Sequence, residues 1–87
     1  MPYDLFLSKE FERQYSKLEP KTKARIVSKL TEVEEAPHHT GKPLKHNLKG
    51  IWSARAGKYR ILYLIDEKKR KINIITLRHR EHVYKNR

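Results

Sequence analysis

An α+β fold is the class that this sequence predicts: an N-terminal strand, a two-helix hairpin and then a three-stranded antiparallel meander. Two patterns support this prediction. Apolar residues recur at helical spacing over residues 8–35, and they alternate with polar residues from residue 51 onward. The chain has 87 residues, which suffice for one modest core. We therefore expect a single domain over residues 1–87, with the helices packed on one face of the sheet.

The first strand and the two helices are predicted from their apolar spacing and their end signals. Apolar side chains at alternate positions from Tyr3 to Leu7 give the strand one apolar face. Ser8 can then cap a short first helix that ends before Pro20. Pro20 suits the first turn of a second helix, whose apolar stripe ends near the break before Pro37.

The second half of the chain is predicted to be a loop followed by strands. Residues 37–50 contain three histidines, two prolines and two glycines, a composition typical of a loop. The pattern after them predicts three strands, over residues 51–56, 59–66 and 71–77. A type II′ turn at Gly57 and Lys58 would join the first two. The middle strand is apolar on both faces, which favours a central position in the sheet.

Composition excludes several classes of protein. The absence of cysteine rules out a disulfide framework and favours a reducing, cytoplasmic setting. No apolar run is long enough to span a bilayer, and Asp4 lies where a signal peptide would be apolar, so we expect a soluble protein that does not contact membranes. His38 and His39 are adjacent and would point to opposite faces of a strand, so we expect neither a metal nor another cofactor.

The net charge of +11 is distributed unevenly. Residues 1–35 hold seven basic and seven acidic side chains, residues 36–87 hold fourteen basic and three acidic ones, and no acid occurs between Ala36 and Ile65. A basic half within one domain favours binding to RNA or another polyanion, because each neutralised phosphate releases condensed counterions. A lysine-rich face that serves solubility alone is the alternative.

Two arginines are predicted to face each other in the first hairpin. A two-residue turn pairs Ala56 with Tyr59, so Arg55 lies directly across from Arg60 on the same face of the sheet. Like charges in that arrangement destabilise a hairpin, and an anion held between the two guanidiniums would offset the cost. Alternatively, both arginines extend into solvent or pair with carboxylates.

Candidate RNA-binding residues also cluster at the end of the chain, which is predicted to be a basic tail from residue 78. The tail combines arginines, which hold phosphate, with imidazoles and a phenol, which can stack on a base or move a proton. Its candidates are Arg78, His79, Arg80, His82 and Tyr84. Cations that could position RNA around the second strand are Lys42, Lys45, Lys49 and Lys58. A solvated loop and an ordinary basic tail are the alternatives.

Two segments resemble the RelE/ParE family of toxins from prokaryotic toxin–antitoxin systems. Residues 44–63, which read LKHNLKGIWSARAGKYRILY, are similar to the central segment of that family. Residues 78–84, which read RHREHVY, are similar to its C-terminal signature. The predicted order of elements is also that of the family, so the resemblance extends over nearly the whole chain and implies a RelE-like fold.

The resemblance implies an activity and roles for particular residues. RelE-like members enter the ribosomal A site, cut messenger RNA there and so inhibit translation, whereas ParE-like members inhibit DNA gyrase. For a RelE-like member, Arg60 and Arg78 would contact the scissile phosphate, Tyr84 would engage the target nucleotide, and Arg55 and Arg80 would support RNA binding. The implied reaction is attack by the ribose 2′-hydroxyl on the adjacent phosphate, which gives a cyclic phosphate and a 5′-hydroxyl without a metal.

The sequence departs from the family in its second strand. Some RelE members carry lysines there that help to activate the nucleophile, and this chain has Ile51 and Ser53 instead. The general base is left open among His79, His82 and Tyr84, with histidine favoured because the reference pKa of its side chain lies near neutrality. Alternatively, the ribosome supplies part of the site, or this member cuts slowly.

We expect a ribosome-dependent messenger RNA endonuclease, an mRNA interferase, whose partners are the ribosome, its message and a RelB-like antitoxin. The complex with the antitoxin would be a heterodimer or a heterotetramer. A ParE-like gyrase inhibitor without nuclease activity and a non-enzymatic RNA-binding domain stay open as alternatives.

Overall fold

The computed structural model describes residues 3–45 and 50–79, which form five strands and three helices. In chain order the elements are β1 (Asp4–Leu7), α1 (Lys9–Ser16), α2 (Pro20–Glu35), α3 (Pro37–Thr40), β2 (Lys42–Pro43), β3 (Trp52–Ala56), β4 (Tyr59–Asp66) and β5 (Lys71–His79). None of the helices described is long and apolar enough to cross a membrane.

Both long helices begin where the sequence predicts. The amide of Phe11 donates a hydrogen bond of 3.0 Å to the Ser8 hydroxyl, which therefore caps α1. Pro20 lies in the first turn of α2, where its missing N–H leaves no helical hydrogen bond unmade. The two helices follow each other within a few residues, and both bury apolar side chains in the core, Phe11 from α1 and Ile26 among others from α2.

The strands form one mixed sheet in the order β1-β5-β4-β3-β2. Strand β1 pairs in parallel with β5, and the other neighbouring strands are antiparallel. The predicted α+β class and the meander of β3, β4 and β5 are confirmed, and β4 is an inner strand as its apolar sequence predicts. Gly57 has a φ of 64°, which fits the predicted II′ turn between β3 and β4.

The prediction that residues 37–50 form a plain loop was wrong for its first part. One turn of helix, α3, follows Pro37, and strand β2 adds a fifth strand to the sheet through the pairing of Lys42 with Ser53. The buried Tyr63 hydroxyl donates a hydrogen bond of 2.7 Å to the Pro37 carbonyl. This long-range bond holds the segment against β4, and a local pattern cannot reveal it.

The last described strand is longer than predicted, because β5 ends at His79 rather than at residue 77. Leu62 pairs with Thr76 and Tyr63 pairs with Ile74, so Ile75 has no partner on β4 and forms a bulge. Strand β4 has eight residues, and β5 needs nine to pair along its whole length. Arg78 therefore belongs to the sheet and not to a tail.

The core lies between the sheet and α2. Helix α2 contributes Ile26, Leu30 and Val33, which are all buried, and the central strands contribute Ile61 and Tyr63. Strand alternation then directs the neighbouring side chains of β3, β4 and β5 to the other face of the sheet. We call this second surface the open face, and it carries the candidate site.

Candidate nucleic-acid interface

Three arginines form a row across the open face. Arg55 of β3 lies directly across from Arg60 of β4, and Arg60 lies directly across from Arg78 of β5. Directly opposed residues of antiparallel strands share a face, with Cβ atoms about 4.5–5.5 Å apart. The predicted pairing of Arg55 with Arg60 is thus confirmed. We call the three residues the arginine row.

Acidic side chains do not neutralise the arginine row in the part of the chain that the structure describes. The ion pairs seen over residues 3–45 and 50–79 join Lys29 to Glu32 and His38 to Glu67. Each opposed pair of arginines costs on the order of 0.2–1 kcal/mol of stability. A row that costs stability and lacks carboxylates is suited to hold an anion, since the guanidinium fork matches a phosphate.

A groove of about 610 Å³ extends from the arginine row toward β2. Its lining includes two arginines of the row, two lysines and two hydroxyl side chains: Arg55, Arg60, Lys42, Lys45, Thr40 and Ser53. None of the carboxylates in the part of the chain that the structure describes lines it. The predicted cation Lys45 therefore lies beside the row, where it could contact a phosphate next to the one held by the arginines.

The groove owes its shape to the buried Tyr63. A Cβ added to Gly41 would meet the Tyr63 hydroxyl, so only glycine lets the chain pass this closely between α3 and β2. Burial raises the pKa of Tyr63 to about 12, although the nearby backbone at Gly41 acts in the opposite direction. The neutral phenol thus remains a hydrogen-bond donor that fixes the segment carrying Lys42 and Lys45.

His79 lies on the other face of the sheet from the arginine row. It pairs with Tyr59, and the two rings meet edge to face with centroids 4.9 Å apart. Tyr59 lines a pocket with Arg25 of α2, which shows that this side chain faces the helices. The predicted catalytic residues Arg60 and Arg78 are therefore brought together, whereas His79 is separated from them by the sheet.

The other predicted residues divide into two groups. Lys58 is exposed in the turn between β3 and β4, at the end of the sheet nearest the arginine row. Lys49, Arg80, His82 and Tyr84 lie outside the described residues. Within residues 3–45 and 50–79, no group of three or more histidine, cysteine, aspartate or glutamate side chains could hold a metal ion.

Sequence reasoning missed two features of the site. It assigned Arg78 to a tail, although the strand length needed to pair with β4 could have indicated that this arginine belongs to the row. It also left out Thr40 and Ser53, which meet in the groove only because β2 pairs with β3. That pairing involves two residues of each strand and has no sequence signal that could have revealed it.

Known proteins resemble this chain over nearly its whole length. A family model described as the ParE toxin of the type II toxin–antitoxin system parDE matches residues 5–84, which include the whole arginine row. The chain belongs to the RelE/ParE superfamily of toxins. It is the toxin component of a type II toxin–antitoxin system, as the resemblance of its central and final segments predicts.

Two toxins of Mycobacterium tuberculosis are among its relatives. Toxin RelG is 35% identical over 86 residues, a match that covers 98% of this toxin and 99% of RelG. Toxin RelE of the same organism is 33% identical over 85 residues, covering 97% of this toxin and 88% of RelE. These relatives carry RelE-type names, whereas the family model carries the ParE name.

Solved structures agree with the fold of the toxin. The toxin–antitoxin complex RelBE2 of M. tuberculosis contains a chain that is 34% identical, with a TM-score of 0.85 and coverage of 92% of this toxin and 100% of that chain. The isolated RelE toxin of Escherichia coli has a TM-score of 0.74 at 22% identity, which supports the fold alone. The first of these structures shows a relative bound to an antitoxin.

Proposed function

We propose that this toxin is a ribosome-dependent messenger RNA endonuclease that cleaves the message in the A site and so stops translation. The arginine row carries the proposal, because three guanidiniums on adjacent strands can hold one phosphate and the charge that develops on it. The names of the M. tuberculosis relatives RelG and RelE support a RelE-like activity over a ParE-like one.

In the proposed reaction the ribose 2′-hydroxyl attacks the adjacent phosphorus atom. The new O–P bond closes a 2′,3′-cyclic phosphate, the bond from phosphorus to the 5′-oxygen breaks, and the leaving oxygen takes up a proton to become a 5′-hydroxyl. Arg60 and Arg78 donate to the non-bridging oxygens as negative charge develops there. Removing one such donor costs on the order of 3 kcal/mol in the transition state of other enzymes.

In the proposed reaction a general base must take the proton of the 2′-hydroxyl. His79 faces Tyr59 on the helical side of the sheet, so we leave it out of the reaction. His82 and Tyr84 follow the arginine row in sequence within a few residues and remain our candidates for the base and for contact with the target nucleotide. Arg55, Lys45 and Lys58 position the message, with Lys49 and Arg80 as further contacts.

We also propose that a RelB-like antitoxin, encoded with the toxin, binds it in a heterodimer or heterotetramer in the cytoplasm. The RelBE2 complex of M. tuberculosis is a precedent in a relative that is 34% identical. Acidic segments of the antitoxin would complement the arginine row and the groove beside it, since these surfaces are basic. Covering the row would block the message and so explain inhibition of the toxin.

The test is translation with purified components in the presence of the toxin. Primer extension on ribosome-bound message should reveal cuts within codons, which disappear with Arg60→Ala and with Arg78→Ala. Lys68→Ala, which removes a cation from the turn at the opposite end of β4, should cut as the unchanged toxin does. Intact message and continued translation would refute the nuclease.

Inhibition of DNA gyrase is the second candidate, and the family model described as the ParE toxin favours it. In this case the toxin would bind gyrase and cleave nothing. A supercoiling assay with purified gyrase separates the two candidates, because a gyrase inhibitor reduces supercoiling and leaves ribosome-bound message uncut. RNA binding without either effect would instead indicate a non-enzymatic RNA-binding domain.

A further inference from the structure

The charges of helix α2 run against its own dipole. Lysines occupy the first turn, which holds no acid, while Glu32, Glu34 and Glu35 lie near the C-terminal end, which holds no base. A helix dipole favours the opposite arrangement, with acids at the N-terminus and bases at the C-terminus. The charges within α2 thus carry a stability cost, which the acid at its N-cap, Glu19, offsets only in part.

The cations of α2 are aligned on one side of the helix. Lys21, Arg25 and Lys29 follow one another at four-residue spacing, so each lies about 6 Å from the next along the helix axis. Like charges at this spacing also destabilise a helix. Lys29 forms an exposed ion pair of 3.1 Å with Glu32, a contact that contributes little to stability. We call the three residues the α2 stripe.

The α2 stripe lines a furrow between α2 and the β3–β4 hairpin. The furrow has a volume of about 500 Å³, and its lining includes all three cations of the stripe, Arg55 and one acid, Glu32, which is paired with Lys29. A Cβ on Gly57 would come within 3.0 Å of the Arg25 side chain, so Arg25 lies over the turn. Arg55 lines both this furrow and the groove beside the arginine row. Positive charge therefore continues around the edge of the sheet.

The furrow differs from the groove in the nucleic acid that it fits. Among residues 3–45 and 50–79, no aromatic side chain lines it, whereas proteins that bind single strands stack bases on aromatic rings. Four cations against one paired carboxylate suit a base-paired helix, whose bases are hidden and whose phosphates are exposed. We propose that the α2 stripe binds the phosphate backbone of an RNA helix while the arginine row holds a single strand.

The choice of RNA over DNA rests on the proposed function, and the binding itself can be measured separately. The probe is an RNA hairpin with a stem of about 16 base pairs, which is long enough to expose two successive minor grooves. The test variant is Lys21→Gln/Arg25→Gln/Lys29→Gln. The control is Lys9→Gln/Lys68→Gln/Lys69→Gln, which removes the same charge from exposed positions outside the furrow.

Affinity for the hairpin is measured by fluorescence anisotropy over a range of salt concentrations. We expect the test variant to bind the hairpin at least about tenfold more weakly near 0.1 M salt, with a salt slope lower by about 2–3, since each lost phosphate contact lowers it by about 0.9. Binding of an unpaired oligonucleotide should change by less than about twofold. Thermal unfolding should show the test variant to be at least as stable as the unchanged toxin, because repulsion has been removed.

Several outcomes would overturn the proposal. An equal loss in the control variant would mean that net charge alone governs binding, and an equal loss for a DNA hairpin would mean that the furrow does not select RNA. An undiminished affinity for the hairpin, or a loss only for an acidic antitoxin peptide, would assign the stripe to another partner. A test variant that unfolds at a lower temperature would show that the α2 stripe stabilises the fold and does not serve binding. Because no outcome depends on cleavage, failure of the nuclease proposal is scored separately in the translation assay.

Discussion

The side-chain amide of Gln14 forms two hydrogen bonds with the backbone of Leu77. Its nitrogen donates to the Leu77 carbonyl at 3.0 Å, and its oxygen accepts from the Leu77 amide at 2.8 Å. Gln14 thereby takes the place of a neighbouring strand at a part of β5 that β1 does not reach, since β1 pairs only with residues 71–74. The next residue, Arg78, belongs to the arginine row.

Replacing Gln14 with alanine should therefore affect both stability and the site. Gln14→Ala removes the acceptor of the Leu77 amide and leaves the Leu77 carbonyl with only a 3.3 Å bond from the Thr76 hydroxyl, so we expect a loss of about 1–3 kcal/mol in the free energy of unfolding. The amide of Leu77 should also exchange its hydrogen faster. Glu12→Gln, at an exposed position of the same helix, should cost less than about 0.5 kcal/mol. Equal urea midpoints for the two variants would contradict this role of Gln14.

The position of Arg60 predicts that function and stability oppose each other. Arg60 lies between Arg55 and Arg78, so Arg60→Gln relieves two repulsions and should raise the free energy of unfolding by about 0.4–2 kcal/mol at low salt. The gain should shrink in about 1 M salt, where the Debye length is about 3 Å. Urea unfolding at both salt concentrations measures this, with Arg60→Lys as the variant that keeps the charge. A less stable Arg60→Gln protein would show that the arginine is structural.

Tyr63 predicts a loss of stability in alkaline solution. Burial raises the pKa of Tyr63 to about 12, above the value of about 10 for an exposed tyrosine. The unfolded chain therefore ionises first, so the stabilisation is complete below pH 10 and is lost as the pH rises toward 12. Each unit of difference between the pKa of Tyr63 in the folded and in the unfolded chain contributes about 1.4 kcal/mol to the free energy of unfolding.

Tyr63→Phe isolates this effect. At neutral pH the variant loses the hydrogen bond to the Pro37 carbonyl and should be less stable by about 1–3 kcal/mol. Above pH 10 the difference in the free energy of unfolding between the two proteins should fall. The unchanged toxin loses stability as Tyr63 ionises in the unfolded chain, whereas phenylalanine cannot ionise. Urea unfolding of both proteins from pH 7 to 11 measures the trend, and a difference that is constant with pH would contradict the account.

Features that depend on residues close together in the chain could be predicted from the sequence. Ser8 caps α1, Pro20 opens α2, and a two-residue turn at Gly57 sets Arg55 across from Arg60. Each of these depends on residues within a few positions of each other. The resemblance to a toxin family then added the proposed roles of Arg60 and Arg78, which no local pattern could supply.

The remaining features depend on contacts between distant residues. No glycine or proline near Ile75 indicates the bulge there in the sequence. The bulge nevertheless shifts the pairing of β5 so that Arg78 lies across from Arg60. Strand β2 has only two residues, too few for an alternating pattern, and its pairing with Ser53 builds the groove. The furrow beside α2 likewise exists only because the hairpin packs against Arg25.

Replacing Gly41 with alanine tests whether the groove depends on the close packing of Gly41 against Tyr63. Its φ of −113° is open to any residue, so alanine introduces no backbone strain there. The added methyl group would nevertheless meet the Tyr63 hydroxyl and lie 2.9 Å from the Ser53 carbonyl oxygen, an atom of the backbone. Gly41→Ala must therefore displace the segment that carries Lys42 and Lys45, at a cost of about 1–3 kcal/mol.

The same substitution should weaken RNA binding in the groove, because both lysines move away from Arg55. Anisotropy with an unpaired oligonucleotide and urea unfolding would follow the two effects in parallel. Gly41→Ala combined with Tyr63→Phe removes the clash with the hydroxyl, but it keeps the contact with the Ser53 carbonyl and loses the bond to the Pro37 carbonyl, so the binding should recover only in small part. If binding to the oligonucleotide stays unchanged while stability falls, the groove lysines do not contact the strand.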